Sequence, residues 1–269
     1  MSLYYFYPVY NPYDSFSVVA KNHIRFLREK VRVYELSNTT PITYKLMKND
    51  FSAFQPYLFT EGKYLRNVET GRYIVCVDVT DSDDITARAV ALFQYCDRIA
   101  VPSQFSKNTI AKYINPNIIY VVPHAVEDEF LTRPFTVDQE FAEIYRLKKE
   151  KNVIVIGSWI THSEWRKGAD IVLAIYRSLK KMKKNVFLFI KARDKQPPYY
   201  TELMSLGGAI NSGFIPIEKK IAWYDVLDLY ILGTRGGGFE ITGLEALSRG
   251  VPVISANQGS WTEYLPKFS

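Results

Sequence analysis

Apolar positions in the first half of the chain change repeatedly from the spacing of strands to the spacing of helices. Short β-branched or aromatic runs predict strands, and apolar residues that recur every three or four positions predict helices. The run Tyr73–Val79 is almost wholly apolar, as expected for a parallel strand covered on both faces. The predicted strands are Leu3–Tyr10, Val31–Leu36, Tyr57–Thr60, Tyr73–Val79, Arg98–Val101 and Ile118–Val122, and predicted helices begin at Asp14 or Ser15, at Asp83 or Asp84, and at Gln104.

This alternation stops at residues 132–150 and resumes after them. The stretch has a proline, few large aliphatic side chains and a charged end, so the domain boundary is predicted there. We expect an N-terminal domain over residues 1–135, a linker over 136–150 and a C-terminal domain over 151–269. The predicted fold class is α/β, with parallel, doubly wound sheets. In the second domain the predicted strands are Val153–Ile156, Val186–Ile190 and a segment near Gly213–Phe214, and the predicted helices are Gly168–Lys181, Thr201–Leu206 and Glu218–Val226.

Composition and charge narrow the class of partner. A chain of 269 residues that is 47% hydrophobic can form two domains with cores of their own. Its net charge of +6 favours an anionic partner such as a nucleotide, a phospholipid or nucleic acid. Cys76 and Cys96 show no metal-ligand spacing, so we expect a reduced, cytoplasmic protein without structural zinc. The N-terminus does not have the pattern of a signal peptide, and no apolar run reaches the roughly 18–20 residues that span a bilayer.

Residues 231–261 have the pattern of a single loop–helix–strand unit. Gly236–Gly238 form a loop in which the backbone can approach a ligand closely. A helix with an apolar side follows, Gly250 ends it, and Val251–Ile254 predicts a buried strand. The N–H groups of the loop and of the first helical turn would form an anion site. The alternative is a turn-rich loop before an ordinary core helix.

The residues of this unit resemble a known signature. Phe239, Leu244–Leu247, Gly250–Ile254, Gly259 and Glu263 are similar to the donor site of GT-B glycosyltransferases, most closely the retaining enzymes of family 4 (glycosyl transferases group 1). The resemblance implies two Rossmann-like domains facing a cleft. It also implies metal-independent transfer of a sugar from a UDP- or GDP-linked donor to an acceptor hydroxyl, with retention of configuration. Because the chain ends soon after the matched segment, we expect a minimal or truncated version of this fold.

The chain departs from the family at one carboxylate. The family has one glutamate at the position of Gly237 and a second at the position of Glu245, which matches. Glu240 lies five residues before Glu245, where the family usually has glycine. Either Glu240 replaces the missing carboxylate from another backbone position, or that role is lost. Loss of the role would leave a catalytically weak accessory protein that binds sugar nucleotides.

Two shorter segments near the end of the first domain carry the same resemblance. Ile99–Ser103 with Phe105–Lys107, and Val121–Val126, are similar to segments that close the N-terminal domain of the family. Ala125 stands where the family usually has glycine.

Donor-binding roles follow from the resemblance. Gly157 and the pair Arg166 and Lys167 match the segment whose basic residues hold the donor diphosphate. Fixed cations there would stabilise the charge that grows on the leaving group, without a metal. Glu245 would accept hydrogen bonds from the ribose hydroxyls. Backbone groups of Gly237, Gly238, Phe239, Ile241 and Thr242 would face phosphate and sugar, and the segment with Phe214 would face the base.

Asp78 and Asp81 follow the apolar strand Tyr73–Val79, at the edge where open α/β sheets bind ligands. One of them, with Glu240, would position the acceptor hydroxyl or the donor sugar, and capping of the next helix is the alternative. Asp81–Asp83 also spells the DxD pattern of GT-A metal sites, but the alternating strands and helices and the later glycine segment favour GT-B. No metal is therefore expected.

The basic segment Arg177–Lys184 ends a predicted helix. It can either rest on anionic lipid or complement the negative end of the helix dipole. Binding to nucleic acid is a further alternative, suggested by the positive charge and 20 tyrosines, but no recognition motif supports it. The expected partners are thus a nucleotide sugar, an unknown glycan, lipid or protein acceptor, and no nucleic acid, with contact to a membrane surface left open.

Overall fold

The computed structural model describes residues 2–7, 15–37, 51–54, 73–161, 163–194 and 197–265. The chain divides into two compact units, Met1–His124 and Ala125–Ser269. Each unit contains a parallel sheet with helices. The α/β fold class predicted from the alternating pattern is confirmed.

The sheet of the N-terminal unit has six strands within the described residues, in the order β2-β1-β3-β4-β5-β6, and each neighbouring pair is parallel. The order reverses at β1, which pairs with β2 on one side and β3 on the other. The carboxyl ends of the strands therefore form one edge, as in doubly wound folds. The elements are β1 (Ser2–Tyr7), α1 (Ser15–Leu27), β2 (Arg32–Ser37), β3 (Phe51–Phe54), β4 (Tyr73–Val77), α2 (Ala87–Phe93), β5 (Arg98–Val101), α3 (Gln104–Ile110) and β6 (Ile119–Val121).

Both faces of this sheet are covered, because successive side chains of a strand point to opposite faces. Tyr5 and Tyr7 of β1 pack with Ala20 and Ile24 of α1 on one face. Phe6 belongs to a separate core on the other face. The aromatic β1 is thus an interior strand with a helix on one side, which explains its almost continuous burial.

The C-terminal unit has a five-stranded sheet in the order β11-β10-β7-β8-β9, and each neighbouring pair is parallel. The chain begins this sheet at β7 and builds outwards in both directions, so the loops that follow β7 and β10 meet at one edge. The elements are α4 (Asp128–Thr132), α5 (Ala142–Lys151), β7 (Ile154–Ile160), α6 (Ala169–Lys181), β8 (Val186–Ala192), α7 (Tyr200–Ser205), β9 (Ala209–Ser212), α8 (Ile217–Asp225), β10 (Leu229–Leu232), α9 (Ile241–Ser248) and β11 (Val253–Ser255).

The boundary between the two compact units lies earlier in the chain than the predicted domain boundary. Residues 136–150 were expected to form a linker, but they contain a short 3-10 helix and most of α5, and they lie within the C-terminal unit. Arg249, which follows α9, holds the preceding segment: it donates to the carbonyl oxygens of Phe130 (2.9 Å) and Arg133 (2.8 Å). It also forms a two-bond pair with Asp225 at 2.7 and 3.0 Å. Asp225 in turn accepts from the backbone N–H of Thr136 at 3.3 Å.

Other predicted elements differ from the structure in their bounds or in the residue that caps them. The strand expected near Gly213–Phe214 lies at Ala209–Ser212, because Gly213 (φ +85°) leaves the strand conformation. The helix after β4 is capped by Thr86, whose Oγ1 accepts from Ala89 N at 3.2 Å, rather than by Asp83 or Asp84. Phe51–Phe54 forms a strand that the pattern did not single out. The predicted cap Asp14 and strand Tyr57–Thr60 lie outside the described residues.

Candidate functional site

Two loops join at the carboxyl edge of the C-terminal sheet. One follows β7 and carries Arg166 and Lys167, and the other follows β10 and carries the glycine run. The carbonyl oxygen of Arg166 accepts from Arg235 N at 2.7 Å and from Thr234 Oγ1 at 3.3 Å. In the opposite direction, the Arg166 guanidinium donates to the carbonyl oxygen of Gly236 at 2.7 Å. The sequence segments predicted to hold phosphate are therefore in direct contact.

Gly168 allows this close contact. It has φ +71°, and a Cβ atom there would lie 1.9 Å from the carbonyl oxygen of Gly233. Any side chain would separate the two loops or strain the backbone. Glycine at this position is thus required both by conformation and by space.

Lys167 and Glu240 form a buried ion pair at the centre of the site. The Lys167 ammonium donates to both carboxylate oxygens of Glu240, at 2.8 and 2.6 Å. Arg166 Nη1 lies 3.8 Å from the same carboxylate, which is only 4% exposed. A buried carboxylate needs such charged partners to remain ionised. The two cations predicted from sequence and the predicted carboxylate are therefore brought together.

Gly237 lies against this carboxylate. A Cβ atom on Gly237 would fall 2.0 Å from Glu240 Oε1 and 2.8 Å from its carboxyl carbon. The Glu240 carboxylate thus occupies the space into which a side chain at position 237 would extend. A glutamate at 237 and the observed Glu240 conformation exclude each other. The Glu240 carboxylate, which comes from three residues further along the chain, therefore lies directly beside the position that lacks one.

The remaining loop residues are held through their carbonyl oxygens. Ser260 Oγ donates to the Gly237 carbonyl at 2.6 Å, and the Tyr264 hydroxyl donates to that of Glu240. The ring of Phe239 stacks on Tyr264 with centroids 4.6 Å apart. These contacts fix the orientation of the peptide groups that lead into α9. Gly238 belongs to this loop, and Ile241 and Thr242 begin α9.

Glu245 is in a different environment from the one expected. Its side chain is 1% exposed, accepts from the Lys220 ammonium, and accepts from the Tyr224 hydroxyl at 2.8 Å. Burial raises the pKa of this carboxyl, and the Lys220 ammonium opposes the shift. Both carboxylate oxygens are occupied here, so a ribose would have to displace Lys220 or Tyr224 to reach them.

Lys220 is a site residue that the sequence did not reveal. Its ammonium lies 5.3 Å from the ring centroid of Trp159 and 5.7 Å from that of Phe130. Trp159 stacks on Tyr224 at 5.9 Å, so aromatic rings enclose the Lys220–Glu245 pair. The only sequence signal is that Lys220 and Tyr224 share one face of α8 at a spacing of four residues, which many surface helices show.

Lys191 is a second buried cation at the same edge. It is fully buried near the end of β8, 3.4 Å from the carbonyl oxygens of Ala192 and Asn211, and it also donates to the carbonyl of Gly213. Burial lowers its pKa to about 8. Gly213 is followed by Phe214, which is 41% exposed. Lys191 thus anchors the loop of Gly213 and Phe214, which was predicted to face the base of the nucleotide.

Gly157 does not lie in a loop. β7 continues to Ile160, so Gly157 is inside the strand, where it pairs with Tyr230 and Phe189. A Cβ atom there would lie 2.2 Å from Leu227 Cδ1. Gly157 thus lies within a strand and not in the expected loop, and the close packing of Leu227 and Trp223 against it leaves no room for a side chain.

Asp78 and Asp81 follow β4 in the N-terminal unit. Asp78 is partly buried, and its Oδ1 accepts from Val79 N at 2.7 Å. Desolvation raises its pKa to about 7, and the nearby Asp81 charge adds to the shift. Asp81 is exposed. A carboxyl that titrates near neutrality at the ligand edge of a sheet is suited to hydrogen bonding with, or accepting a proton from, a hydroxyl.

Neither metal-binding clusters nor membrane spans are found in the described segments. There, no group of three or more histidine, cysteine or acidic residues could hold a metal ion. In the same segments, no helix is both long enough and apolar enough to cross a bilayer.

Comparison with known proteins finds a family match for the C-terminal part of the chain. Residues 150–267 match the family described as Glycosyl transferases group 1. Uncharacterized protein 356 of Sulfolobus islandicus rod-shaped virus 1 is 28% identical over an alignment of 278 residues, which covers 98% of this chain and 76% of that protein.

Solved structures show the same fold across the chain. WaaG, a glycosyltransferase involved in lipopolysaccharide biosynthesis, matches with a TM-score of 0.64 at 15% identity, over 98% of this chain and 83% of WaaG. Anabaena HepE, solved in complex with UDP, matches with a TM-score of 0.66 at 16% identity, over 98% of this chain and 82% of HepE. The chain therefore has the GT-B fold, and the match of its residues 150–267 to glycosyl transferases group 1 indicates a glycosyltransferase.

Proposed function

We propose that this chain transfers a sugar from a UDP- or GDP-linked donor to an acceptor hydroxyl, with retention of configuration and without a metal. The observation that carries the proposal is the buried contact of Lys167 with Glu240 beside Arg166, on two loops that are hydrogen-bonded to each other. Cations and a carboxylate at one sheet edge match what a nucleotide sugar offers, namely a diphosphate and sugar hydroxyls.

The cations act on the leaving group. As the bond between the sugar and the diphosphate stretches, negative charge grows on the phosphate oxygens. Glu240 and Gly236 hold Lys167 and Arg166 at this edge before the donor binds, so only a small movement brings their charges to the phosphate. Backbone N–H groups of the loop at Gly238 and of the first turn of α9 add fixed dipoles.

Glu240 serves as the sugar-binding carboxylate. Its oxygens accept hydrogen bonds from sugar hydroxyls when the diphosphate competes for Lys167. The Glu240 carboxylate lies against Gly237, beside the backbone position at which the resemblance implies the sugar-binding glutamate. Donor binding therefore gives Lys167 a phosphate partner in place of Glu240. The Glu240 carboxylate then keeps hydrogen bonds from the sugar hydroxyls, with Arg166 Nη1 3.8 Å away.

The N-terminal unit supplies the acceptor side. Asp78, with its pKa near 7, accepts a hydrogen bond from the acceptor hydroxyl, and Asp81 tunes that pKa. In a retaining reaction the leaving phosphate helps to remove the acceptor proton. Asp78 is thus proposed as a positioning carboxylate, whose removal weakens transfer more than donor binding.

The test offers radiolabelled UDP- and GDP-sugars to the purified chain with candidate glycan, lipid and protein acceptors. Thermal shift against nucleoside diphosphates first identifies the nucleotide, and UDP is tested first because HepE was solved with it. The proposal predicts stabilisation by a nucleoside diphosphate, and transfer or slow donor hydrolysis that Lys167→Ala abolishes. No stabilisation by any nucleotide would contradict it.

A catalytically weak accessory protein is the second candidate. The absence of a carboxylate on residue 237 itself favours it. This candidate predicts that a sugar nucleotide binds, yet neither transfer nor hydrolysis is observed with any acceptor, and that Glu240→Gln leaves donor affinity unchanged.

A further inference from the structure

The solvent-facing side of α6 carries apolar side chains among its polar ones. Its inner side packs into the core through Val172, Leu173 and Tyr176. On the outer side Ile175 is 36% exposed, and Met182, just past the helix end, is 65% exposed. Surface helices ordinarily present polar residues to water. Together with Ile171 and the exposed Ala174 and Ser178, these residues form a continuous outer stripe, which we call the α6 outer face.

A rigid tryptophan extends this face at the start of the helix. Trp165 is 70% exposed, and the Arg235 guanidinium lies 4.4 Å from its ring centroid. The same guanidinium donates to both carboxylate oxygens of Asp170, on the first turn of α6, at 2.8 and 2.7 Å. The indole ring is thus braced beside the α6 outer face. One of its faces is covered by Arg235, so its large exposure comes from its other face and edges.

Cations gather at the opposite end. Lys180, Lys181, Lys183 and Lys184 are all exposed. Nearer the helix middle, Arg177 is paired with Glu202, as Arg235 is with Asp170, so these two pairs add no net charge. The lysines therefore give the face a local excess of positive charge. A tryptophan and aliphatic side chains beside clustered lysines are the composition of helices that lie on anionic lipid bilayers.

We propose that the α6 outer face, with Trp165 and the four lysines, docks the chain onto an anionic membrane surface. A second copy of the chain fits less well, since one helix of 13 residues is roughly 20 Å long and offers much less than the ~800 Å² per partner of a stable interface. Charge complementarity selects an anionic bilayer over a neutral one. Each basic residue adds to the attraction within a Debye length of the surface.

Vesicle flotation tests this proposal with the full chain and no donor, so its outcome does not depend on the transferase site. The wild type should float with vesicles of phosphatidylcholine and phosphatidylglycerol at low salt, and not with phosphatidylcholine alone. Lys181→Glu/Lys183→Glu should lower the partition coefficient by at least about tenfold. Ile175→Glu/Met182→Glu should abolish binding. The matched controls Lys149→Glu/Lys151→Glu and Leu131→Glu/Met204→Glu, at exposed positions elsewhere in the same unit, should bind nearly as the wild type does.

Tryptophan fluorescence locates the contact. Trp165 is exposed, whereas Trp223 and Trp261 are buried and Trp159 is partly buried. Anionic vesicles should therefore shift the emission to shorter wavelength, and Trp165→Phe should remove that shift. Three results would overturn the proposal. The wild type could fail to float with anionic vesicles, or Lys181→Glu/Lys183→Glu and Ile175→Glu/Met182→Glu could float as well as the wild type. The third result is self-association of the chain that Ile175→Glu/Met182→Glu abolishes.

Discussion

The carboxylate of Glu240 lies where a side chain on Gly237 would begin, with the calculated Cβ position 2.0 Å from Glu240 Oε1. The Glu240 carboxylate thus fills the space beside Gly237, and we expect that a carboxylate from either position can serve the same role. This expectation can be tested by exchanging the two residues. The Gly237→Glu variant should lose most of its transfer activity, because two carboxylates would compete for Lys167 in a buried site. Glu240→Gly alone should lower the transfer rate about 10²–10³-fold, as loss of a fixed electrostatic contact typically does.

The exchange is decided by the double variant. Gly237→Glu/Glu240→Gly places the carboxylate at the position that the sequence resemblance implies and should recover most of the activity that either single change loses. Measured turnover in the four proteins forms a double-mutant cycle. Additive losses in the double variant would show that the two positions do not share one role.

Asp78 should make stability depend on pH in an unusual direction. Its pKa is about 7 in the folded chain, against about 3.9 when unfolded. Between these values the folded state holds a proton that the unfolded state has released, so the free energy of unfolding falls as pH rises from about 4 to 7, by roughly 2–4 kcal/mol. Urea titrations across this range should show the fall in the wild type.

Two variants distinguish the contribution of Asp78 to this pH dependence from the contributions of other titratable groups. Asp78→Asn should remove this part of the pH dependence. Asp81→Asn should move it to lower pH, because the Asp81 charge helps to raise the Asp78 pKa. An unchanged pH profile in Asp78→Asn would assign the slope to another residue.

Lys191 should make the free energy of unfolding depend on pH in the alkaline range. Its folded pKa of about 8 lies below the ordinary lysine value, so the unfolded state binds more protons from about pH 8 to about pH 10. Its contribution to stability therefore increases with pH there, by about 2–3 kcal/mol. Lys191→Met should lose this increase, with the free energy of unfolding measured at both limits. In the same variant, loosening of the Gly213 loop should raise the donor KM more than it lowers kcat.

The boundary between the two compact units, at His124 and Ala125, predicts which fragment of the chain folds by itself. Residues 125–269 contain both halves of the Arg249–Asp225 clamp and the carbonyl groups it holds, so this fragment should unfold cooperatively. Residues 151–269 leave Arg249 without the Phe130 and Arg133 carbonyls and should be destabilised by several kcal/mol. Circular dichroism melts compare the two. Equal melting temperatures would support the original boundary near residue 150.

Local signals in the sequence were enough for the architecture and for the two loops that meet at the candidate site. Alternating apolar periods indicated two parallel sheets, and the glycine run with Lys167 located the loops that meet. Gly157 was misread because a glycine after an apolar run resembles a strand end, whereas here it makes room for Leu227 inside the strand. The burial of Glu245 by Lys220 depends on residues 25 positions apart on different helices, and no local pattern encodes that contact.

The most direct test of the donor site is isothermal titration of UDP and GDP into the wild type and Lys167→Ala. Lys219→Ala is the matched control, because Lys219 also donates to a glutamate at 2.6 Å but on an exposed surface of the same unit. One nucleotide should bind the wild type and Lys219→Ala alike, and Lys167→Ala should bind it about 10–100-fold more weakly, as expected for loss of a charged hydrogen bond. Equal affinity in all three proteins would contradict the claim that this lysine holds the diphosphate.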